Sequence, residues 1–294
     1  MGRPLCQTTG STALSPLNGR RRWTHIRSRG AGPEAAGVSI DSLPFGFQYG
    51  RGMRKTILVL AIFGSAVMAP AAPHQYKYLP ADCSALVGLL PPPPATNSPA
   101  GIADLETVLQ VQADRTPGQV QRARRVASQS VFTFAQPVLG GWFNPTNCPA
   151  TQRLLAEITR ESQTIVDDQV KPHWQRLRPY QASPDVRPIV GRPGNTSYPS
   201  GHAAVAALWG TILSAAFPDQ AAAFQAQIRE VMWCRVIGGV HYPSDTAAGA
   251  RLGTAIAHAM LAAPAMPETL ETIRAEAAPF RNPATTRSAA PVGQ

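Results

Sequence analysis

The chain has little of several features that would point to particular classes of protein. Only 15% of its 294 residues are charged and 7% are aromatic, whereas apolar residues make up 44%, enough for a hydrophobic core, which excludes wholesale disorder. Beyond the N-terminal region no uncharged apolar stretch reaches the length of about 18 residues that a membrane span needs, which excludes a protein with several spans. Strand signals are nearly absent too, because no sustained run alternates apolar and polar residues.

The net charge of +10 is distributed unevenly along the chain. Residues 1–72 carry 9 Lys or Arg against 2 Asp or Glu, a balance of +7, and residues 73–294 carry 18 against 15, a balance of +3. The basic character therefore belongs mainly to the N-terminal region. A nearly neutral remainder without a basic and aromatic stripe argues against nucleic acid as a binding partner.

Residues 53–72, MRKTILVLAIFGSAVMAPAA, have the pattern of a secretory signal peptide. Arg54 and Lys55 precede an apolar segment, and small residues follow it. The apolar segment is shorter than the roughly 20 residues of a transmembrane helix, so we favour a cleaved signal over a membrane anchor. This predicts a periplasmic or secreted protein without stable membrane insertion.

The signal peptide divides the chain into segments. Residues 1–52 are rich in Arg, Gly, Ser and Pro, and we interpret them as lying upstream of the true start or as a disordered extension. Residues 73–280 are predicted to form the folded domain. The polar residues 281–294 are predicted to be a disordered tail.

Cysteine is scarce, with four in the chain: Cys6, Cys83, Cys148 and Cys234. Three remain after signal cleavage, which leaves room for one disulfide in an oxidising compartment. We expect a Cys83–Cys148 pair, although spacing alone does not fix the pairing. There is no CxxC pair and no His/Cys spacing typical of zinc, so no metal site is predicted.

Apolar residues recur at helical spacing after the signal, so the predicted fold is all-α, a helical bundle with long proline-rich loops. The Ala-rich and nearly uncharged segment that begins at Ser200 is expected to be a buried central helix. Proline marks an extended LLPPPP segment and a long loop before Ser200, and long ordered loops tend to be functional. Helices are predicted over residues 102–113, 117–137, 149–171, 200–217, 221–240 and 243–261.

Three clusters of polar residues carry the chemistry. The first contains Lys171 and Arg178, which lie seven residues apart, so a continuing helix would place both cations on one face, where they can converge on a dianion. The alternative is a solvated helix end, because cations suit a helix C-terminus.

The second cluster is Pro199-Ser200-Gly201-His202, directly before the central helix. Free N–H groups at a helix N-terminus bind anions, and Gly201 allows a ligand close to the backbone. The alternative role of Ser200 is simple N-capping, and a histidine such as His202 is more often a surface residue than a functional one.

The third cluster contains Arg235, His241 and Asp245. Histidine is a competent nucleophile towards phosphorus, and a carboxylate four residues later can hold its other ring nitrogen if a turn opens the next helix. The alternative is that Asp245 is only a carboxylate at a helix N-terminus. Together the three clusters supply three cations, a helix N-terminus, two histidines and a carboxylate, a combination suited to phosphoryl transfer.

These clusters resemble the signature of the type 2 phosphatidic acid phosphatase superfamily, K-x6-RP, PSGH and SR-x5-H-x3-D. Here they read Lys171-x6-Arg178-Pro179, then PSGH at 199–202, then Cys234-Arg235-x5-His241-x3-Asp245, with 19 and 31 residues between them. With a signal peptide and no further spans, the chain is most similar to the secreted bacterial class A non-specific acid phosphatases. The resemblance implies a helical bundle that hydrolyses phosphate monoesters without a metal or other cofactor, and it leaves open a homo-oligomer.

The resemblance also implies a role for each motif residue. His241 would form the phosphohistidine, Asp245 would orient it, and His202 would protonate the leaving group and then activate water. The residues that would hold the phosphate are Lys171, Arg178, Ser200, Gly201 and Arg235. The chain departs from the signature at Cys234, where the family has serine, and we expect this to place a thiol close to the pocket.

Two other readings remain open on the sequence. A vanadium-dependent haloperoxidase uses the same oxyanion pocket, but such enzymes tend to be much larger chains. A non-enzymatic anion-binding module would need only the cations and the helix N-terminus. The first reading predicts halide oxidation with vanadate, and the second predicts a function that survives replacement of His241.

Overall fold

The computed structural model describes residues 76–281, whose regular secondary structure is entirely helical, with no strand among them, which confirms the all-α prediction. None of the helices in this part of the chain combines the length and apolar character needed to cross a membrane. The predicted extension, the signal peptide and residues 282–294 of the tail lie outside the described residues. The α-helices are α1 (Ser84–Val87), α2 (Pro99–Asp114), α3 (Pro117–Val126), α4 (Val131–Leu139), α5 (Pro149–Gln163), α6 (Pro179–Ala182), α7 (Gly201–Ala216), α8 (Ala221–Ile237), α9 (Pro243–Leu261) and α10 (Met266–Arg281).

The central helix is α7, as its Ala-rich sequence predicts. Ser200 caps it, and almost every residue from Ala203 to Leu213 is buried. It packs most closely on α9, because a Cβ on Gly253 would lie 2.0 Å from the carbonyl oxygen of Ala204. Glycine at this position therefore sets the distance between the two helices that carry the second and third clusters.

Three elements differ from their predicted extents. The helix expected over 117–137 is two helices, because the chain turns at 127–130 with Gln129 at φ +50° and Ser130 starts α4 as a new N-cap. The helix expected over 149–171 continues past α5 as a π-helix (Thr164–Val170) and a 3-10 turn (Lys171–His173). Helix α10 was not predicted from the sequence.

The expected disulfide is wrong, and helix α2 buries a residue that its sequence pattern does not suggest. Cys83 and Cys148 are free buried thiols rather than a disulfide, and Cys83 Sγ donates to the carbonyl oxygen of Pro80 at 3.2 Å. On α2, the apolar side chain of Ile102 is 48% exposed, whereas Asp104 is buried. The buried face of α2 therefore carries a carboxylate, whose partner lies in the site.

Candidate functional site

The three clusters meet around one cavity of about 140 Å³. Lys171 begins the 3-10 turn, Arg178 caps α6, Gly201 and His202 open α7, and His241 lies in the loop between α8 and α9. Each of these five residues lines the cavity with its side chain or its backbone. The structure thus brings together residues that are as far as 70 positions apart in the sequence, in a pocket lined by cations and imidazole rings.

Lys171 and Arg178 both line the cavity, but the backbone between them is not the continuous helix considered from the sequence. The chain leaves helical geometry after His173, so the two cations do not share a helix face. Lys171 Nζ lies 3.6 Å from Asp167 Oδ1 and donates to the carbonyl oxygen of Thr196 at 3.4 Å. Burial lowers the pKa of this lysine, whose side chain is only 6% exposed.

Arg178 fixes the orientation of His241. Its Nη1 donates to the carbonyl oxygen of Val240 at 2.8 Å and lies 3.0 Å from His241 Nε2, while Nη2 donates to Asn195 Oδ1 at 2.7 Å. Because a guanidinium can only donate, Nε2 must accept, and the proton of the neutral ring is then on Nδ1. In this tautomer Nε2 carries the lone pair, so Nε2 is the nucleophilic atom of the ring.

Asp245 lies on the other side of the His241 ring, as the four-residue spacing predicts. Its Oδ2 is 3.5 Å from His241 Nδ1, and this oxygen also accepts from Ser197 Oγ at 2.6 Å and from the backbone N–H of Tyr242 at 2.9 Å. Burial alone would raise the pKa of Asp245, but contact with His241 and with Arg176 outweighs it, and the pKa is lowered. The carboxylate is therefore ionised beside the ring.

Arg176 is a residue of this site that the sequence did not reveal. Its Nη1 donates to Asp245 Oδ1 at 2.6 Å and to Ser244 Oγ at 2.6 Å, and its Nη2 donates to Asp104 Oδ2 at 2.7 Å. The guanidinium also lies over the ring of Tyr242, 4.1 Å from its centroid. One buried cation thus ties α2 to the carboxylate that faces His241. The sequence feature that could have indicated this network is the aspartate at 104 among the apolar residues of α2.

Arg235 has donors that the protein does not use. It is 2% exposed, and its Nε and Nη1 form no hydrogen bond within residues 76–281. Burial, and secondarily the charge of Arg178, lowers its pKa to about 10, so it remains charged at neutral pH. Buried donors without partners are rare in proteins, and here they are cationic. Arg235 is not one of the residues that line the cavity, but an anion within reach of its Nε and Nη1 would satisfy these donors.

His202 has an environment that keeps its ring neutral in the protein alone. Burial first, and then the charge of Arg235, lowers the pKa of His202 to about 3. Its Nε2 lies 3.3 Å from the carbonyl oxygen of Ala127, in the turn between α3 and α4. Burial also lowers the pKa of His241 to about 3. A group that changes the charge of the cavity will therefore change the pKa of both imidazole rings.

The remaining motif residues are placed as follows. Ser200 is buried and its Oγ accepts from the backbone N–H of Ala203 at 3.4 Å, which is the N-capping role considered from the sequence.

Cys234 does not line the cavity. Its Sγ lies 3.7 Å from Glu230 Oε1 among apolar residues, and burial raises the pKa of the thiol to about 12. The expectation of a thiol close to the pocket is wrong, because this side of α8 faces α3.

Comparison with known proteins agrees with the signature. Residues 154–267, which contain all three clusters, match the PAP2 superfamily. The non-specific acid phosphatases of Salmonella typhi and Salmonella typhimurium are each 30% identical to this chain over 196 residues, which is 64% of this chain and 78% of theirs.

Two solved structures give partial matches to this chain. A bacterial vanadium-dependent iodoperoxidase gives a TM-score of 0.45 at 17% identity, covering 60% of this chain and 53% of its own. A transmembrane PAP2-type phosphatidylglycerolphosphate phosphatase from Bacillus subtilis gives 0.43 at 18% identity, covering 56% of this chain and 86% of its own.

Proposed function

The chain belongs to the PAP2 superfamily, and from this premise we propose that it is a secreted or periplasmic acid phosphatase that hydrolyses phosphate monoesters through a phosphohistidine at His241. The observation that carries the proposal is the setting of His241. Its Nε2 lone pair faces Arg178 at the cavity, and its Nδ1 faces the ionised Asp245. A ring held in this tautomer is prepared for nucleophilic attack.

In the first step His241 Nε2 attacks phosphorus and the bond from phosphorus to the ester oxygen breaks. His202 gives its proton to the departing oxygen, so the alcohol leaves neutral. The phosphorylated imidazole is a cation, and Asp245 stabilises it across Nδ1. In the second step His202 takes a proton from water, the water oxygen attacks phosphorus, and the bond to Nε2 breaks to release phosphate.

The cations hold the phosphoryl oxygens during both steps. Lys171 and Arg178 line the cavity where negative charge would be spread in the transition state, and Gly201 offers a backbone N–H at the start of α7. Arg235 is buried and is not one of the lining residues, and the part proposed for it is to direct its unused donors to the same anion. The unused donors of Arg235 support this role most directly. The part proposed for Ser200 is to donate its hydroxyl proton to a phosphate oxygen while the oxygen still caps the helix.

Substrate binding would also prepare His202. Its pKa is lowered to about 3 by burial and by neighbouring cations in the protein alone. A phosphate dianion brings two negative charges next to these cations, which raises the pKa of the ring and favours the protonated form. The general acid would thus become protonated only when the substrate is bound.

The test is hydrolysis of p-nitrophenyl phosphate by the purified protein at mildly acidic pH with EDTA, with His241→Ala as the control. We expect turnover that persists in chelator and is lost in the variant, while circular dichroism shows that the variant is folded. Turnover that survives in folded His241→Ala would contradict the proposal.

A second variant separates the two histidines. His202→Ala removes the general acid but not the nucleophile, so it should hydrolyse p-nitrophenyl phosphate, whose leaving group needs little protonation, far better than an alkyl phosphate. An equal loss for both esters would contradict the role of His202. Absence of turnover in the wild-type protein would favour a haloperoxidase, tested by vanadate with bromide, or a binding module, tested by phosphate titration.

A further inference from the structure

A second cavity of about 340 Å³ adjoins the one that contains the cations. Gln129 and Gln163 line both cavities, so the two meet at these carboxamides. Neither side chain forms a hydrogen bond with another described residue, and both are only partly buried. Their donors and acceptors are therefore available to a molecule that extends from one cavity into the other.

The wall of the second cavity carries no charged side chain among the described residues. It consists in roughly equal parts of apolar and uncharged polar residues: Gln129, Ser130, Val131, Phe132, Gln152, Leu155, Ala156, Thr159, Gln163 and Trp209. The first cavity, by contrast, is lined by charged side chains: Lys171 and Arg178, with the carboxylate of Asp167 beside them. A second negative charge on a bound molecule would find no cation here and would lose part of its hydration.

One side of the second cavity is held in place. Trp209 is 6% exposed, its Nε1 donates to Thr159 Oγ1 at 2.8 Å, and that hydroxyl donates to the carbonyl oxygen of Leu155 at 2.6 Å. The indole also packs on Phe134, with ring centroids 5.9 Å apart. A fixed aromatic wall favours a flat ring in the ligand over a flexible chain.

The turn at 127–130 joins this cavity to the chemistry. His202 Nε2 lies 3.3 Å from the carbonyl oxygen of Ala127, and two residues later Gln129 has a φ of +50°, a backbone conformation that is uncommon for residues other than glycine. The general acid must face the departing oxygen. We therefore expect the leaving group on the side of the anion cavity that His202 and Gln129 line.

Resting on the proposed function, we propose that the second cavity is the leaving-group subsite, and that it selects phosphate monoesters of uncharged, ring-bearing alcohols with hydrogen-bonding edges. Esters that carry a second anionic group on the leaving group are disfavoured, because no cation of the described chain lines this cavity. The carboxamides of Gln129 and Gln163 hydrogen-bond to the ring substituents, and Trp209 packs on the ring.

Two nearly isosteric substrates test this selectivity: 4-carbamoylphenyl phosphate and 4-carboxyphenyl phosphate. We expect the wild-type kcat/KM to be at least about fivefold higher for the carbamoyl ester. Gln152→Lys places a cation on the exposed rim of the second cavity without touching the first, and should lower this preference by about two- to fivefold. Gln152→Glu should raise it. The intrinsic reactivities of the two esters cancel when variants are compared.

The matched control is Gln225→Lys, the same charge change on an exposed position of α8 that lines neither cavity. It should leave the preference unchanged, and thermal melting checks that all variants are folded. A preference that does not move in Gln152→Lys, or moves equally in Gln225→Lys, overturns the subsite while hydrolysis of both esters upholds the phosphatase. Failure of folded wild-type protein to hydrolyse either ester overturns both.

Discussion

Replacement of Arg176 should expose how the site depends on a residue outside the proposed catalytic set. Arg176 bridges Asp104 and Asp245, and it is the only hydrogen-bond donor to Asp245 Oδ1 in the described chain. Without it, Asp245 keeps Ser197 and the Tyr242 N–H on Oδ2 but loses its one cation. The variants of choice are Arg176→Lys, which keeps the positive charge but not the planar guanidinium that reaches both carboxylates, and Arg176→Leu, which keeps neither.

The expected magnitudes follow from burial. The side chains of Arg176 and Asp104 are 8% exposed and that of Asp245 is fully buried. Removing one partner of such a buried ion pair costs about 3–5 kcal/mol, which is the loss expected in the free energy of unfolding for Arg176→Leu. Arg176→Lys should lose about 1–2 kcal/mol, because one ammonium cannot bridge both carboxylates. With His241 less well oriented, kcat should fall by about 10- to 100-fold.

The assay combines urea unfolding with the pH dependence of kcat. Because Arg176 helps to lower the pKa of Asp245, its loss should move the acid limb of the profile to higher pH. Arg274→Lys is the control for the same substitution away from the site, since Arg274 lies on α10, where it pairs with Glu271 and donates to the carbonyl oxygens of Ala215 and Ala216. An Arg176→Lys variant with wild-type kcat and an unshifted acid limb would refute the positioning role.

Other consequences of the structure are open to equally direct measurement. Because burial lowers the pKa of His241, the unfolded chain binds a proton below about pH 6.5 that the folded chain does not. The free energy of unfolding should therefore fall as the pH falls, by up to about 1.4 kcal/mol per pH unit. Urea titrations of His241→Gln should show a shallower fall. Cys234→Ser should leave kcat/KM within about twofold, and iodoacetamide should label Cys234 only after unfolding, because the thiol is buried away from the cavity; a large kinetic change would contradict this. Gly253→Ala should destabilise the protein by about 1–3 kcal/mol, because its Cβ meets the Ala204 carbonyl oxygen, whereas Gly191→Ala, with nothing within 4 Å, should not change the melting temperature.

The sequence predicted the parts of this protein that depend on local pattern. Helix α7 was predicted because an Ala-rich run follows a capping serine, and the contact of Asp245 with His241 follows from their four-residue spacing at a helix start. The convergence of the three clusters on one cavity followed from the family signature. These features are set by residues close together in the chain or by a recognised motif.

The features that the sequence did not reveal depend on distant contacts. Arg176 lies about 70 residues from both Asp104 and Asp245 in the sequence, so no sequence periodicity indicates that the three residues are in contact. The turn that puts Gln129 between the two cavities interrupts a helical pattern that contains neither glycine nor proline at the break. A helix that continued from Lys171 to Arg178 would place both cations on one face, but the chain leaves helical geometry after His173.

The most direct test of the proposed mechanism is the stereochemical course at phosphorus. A phosphate ester made chiral with oxygen isotopes would be used to transfer its phosphoryl group to an added alcohol, and the configuration of the product would be read by phosphorus NMR. Attack by His241 followed by attack of the alcohol involves two in-line displacements, so we predict net retention. Net inversion would mean a single direct displacement and would contradict the phosphohistidine intermediate.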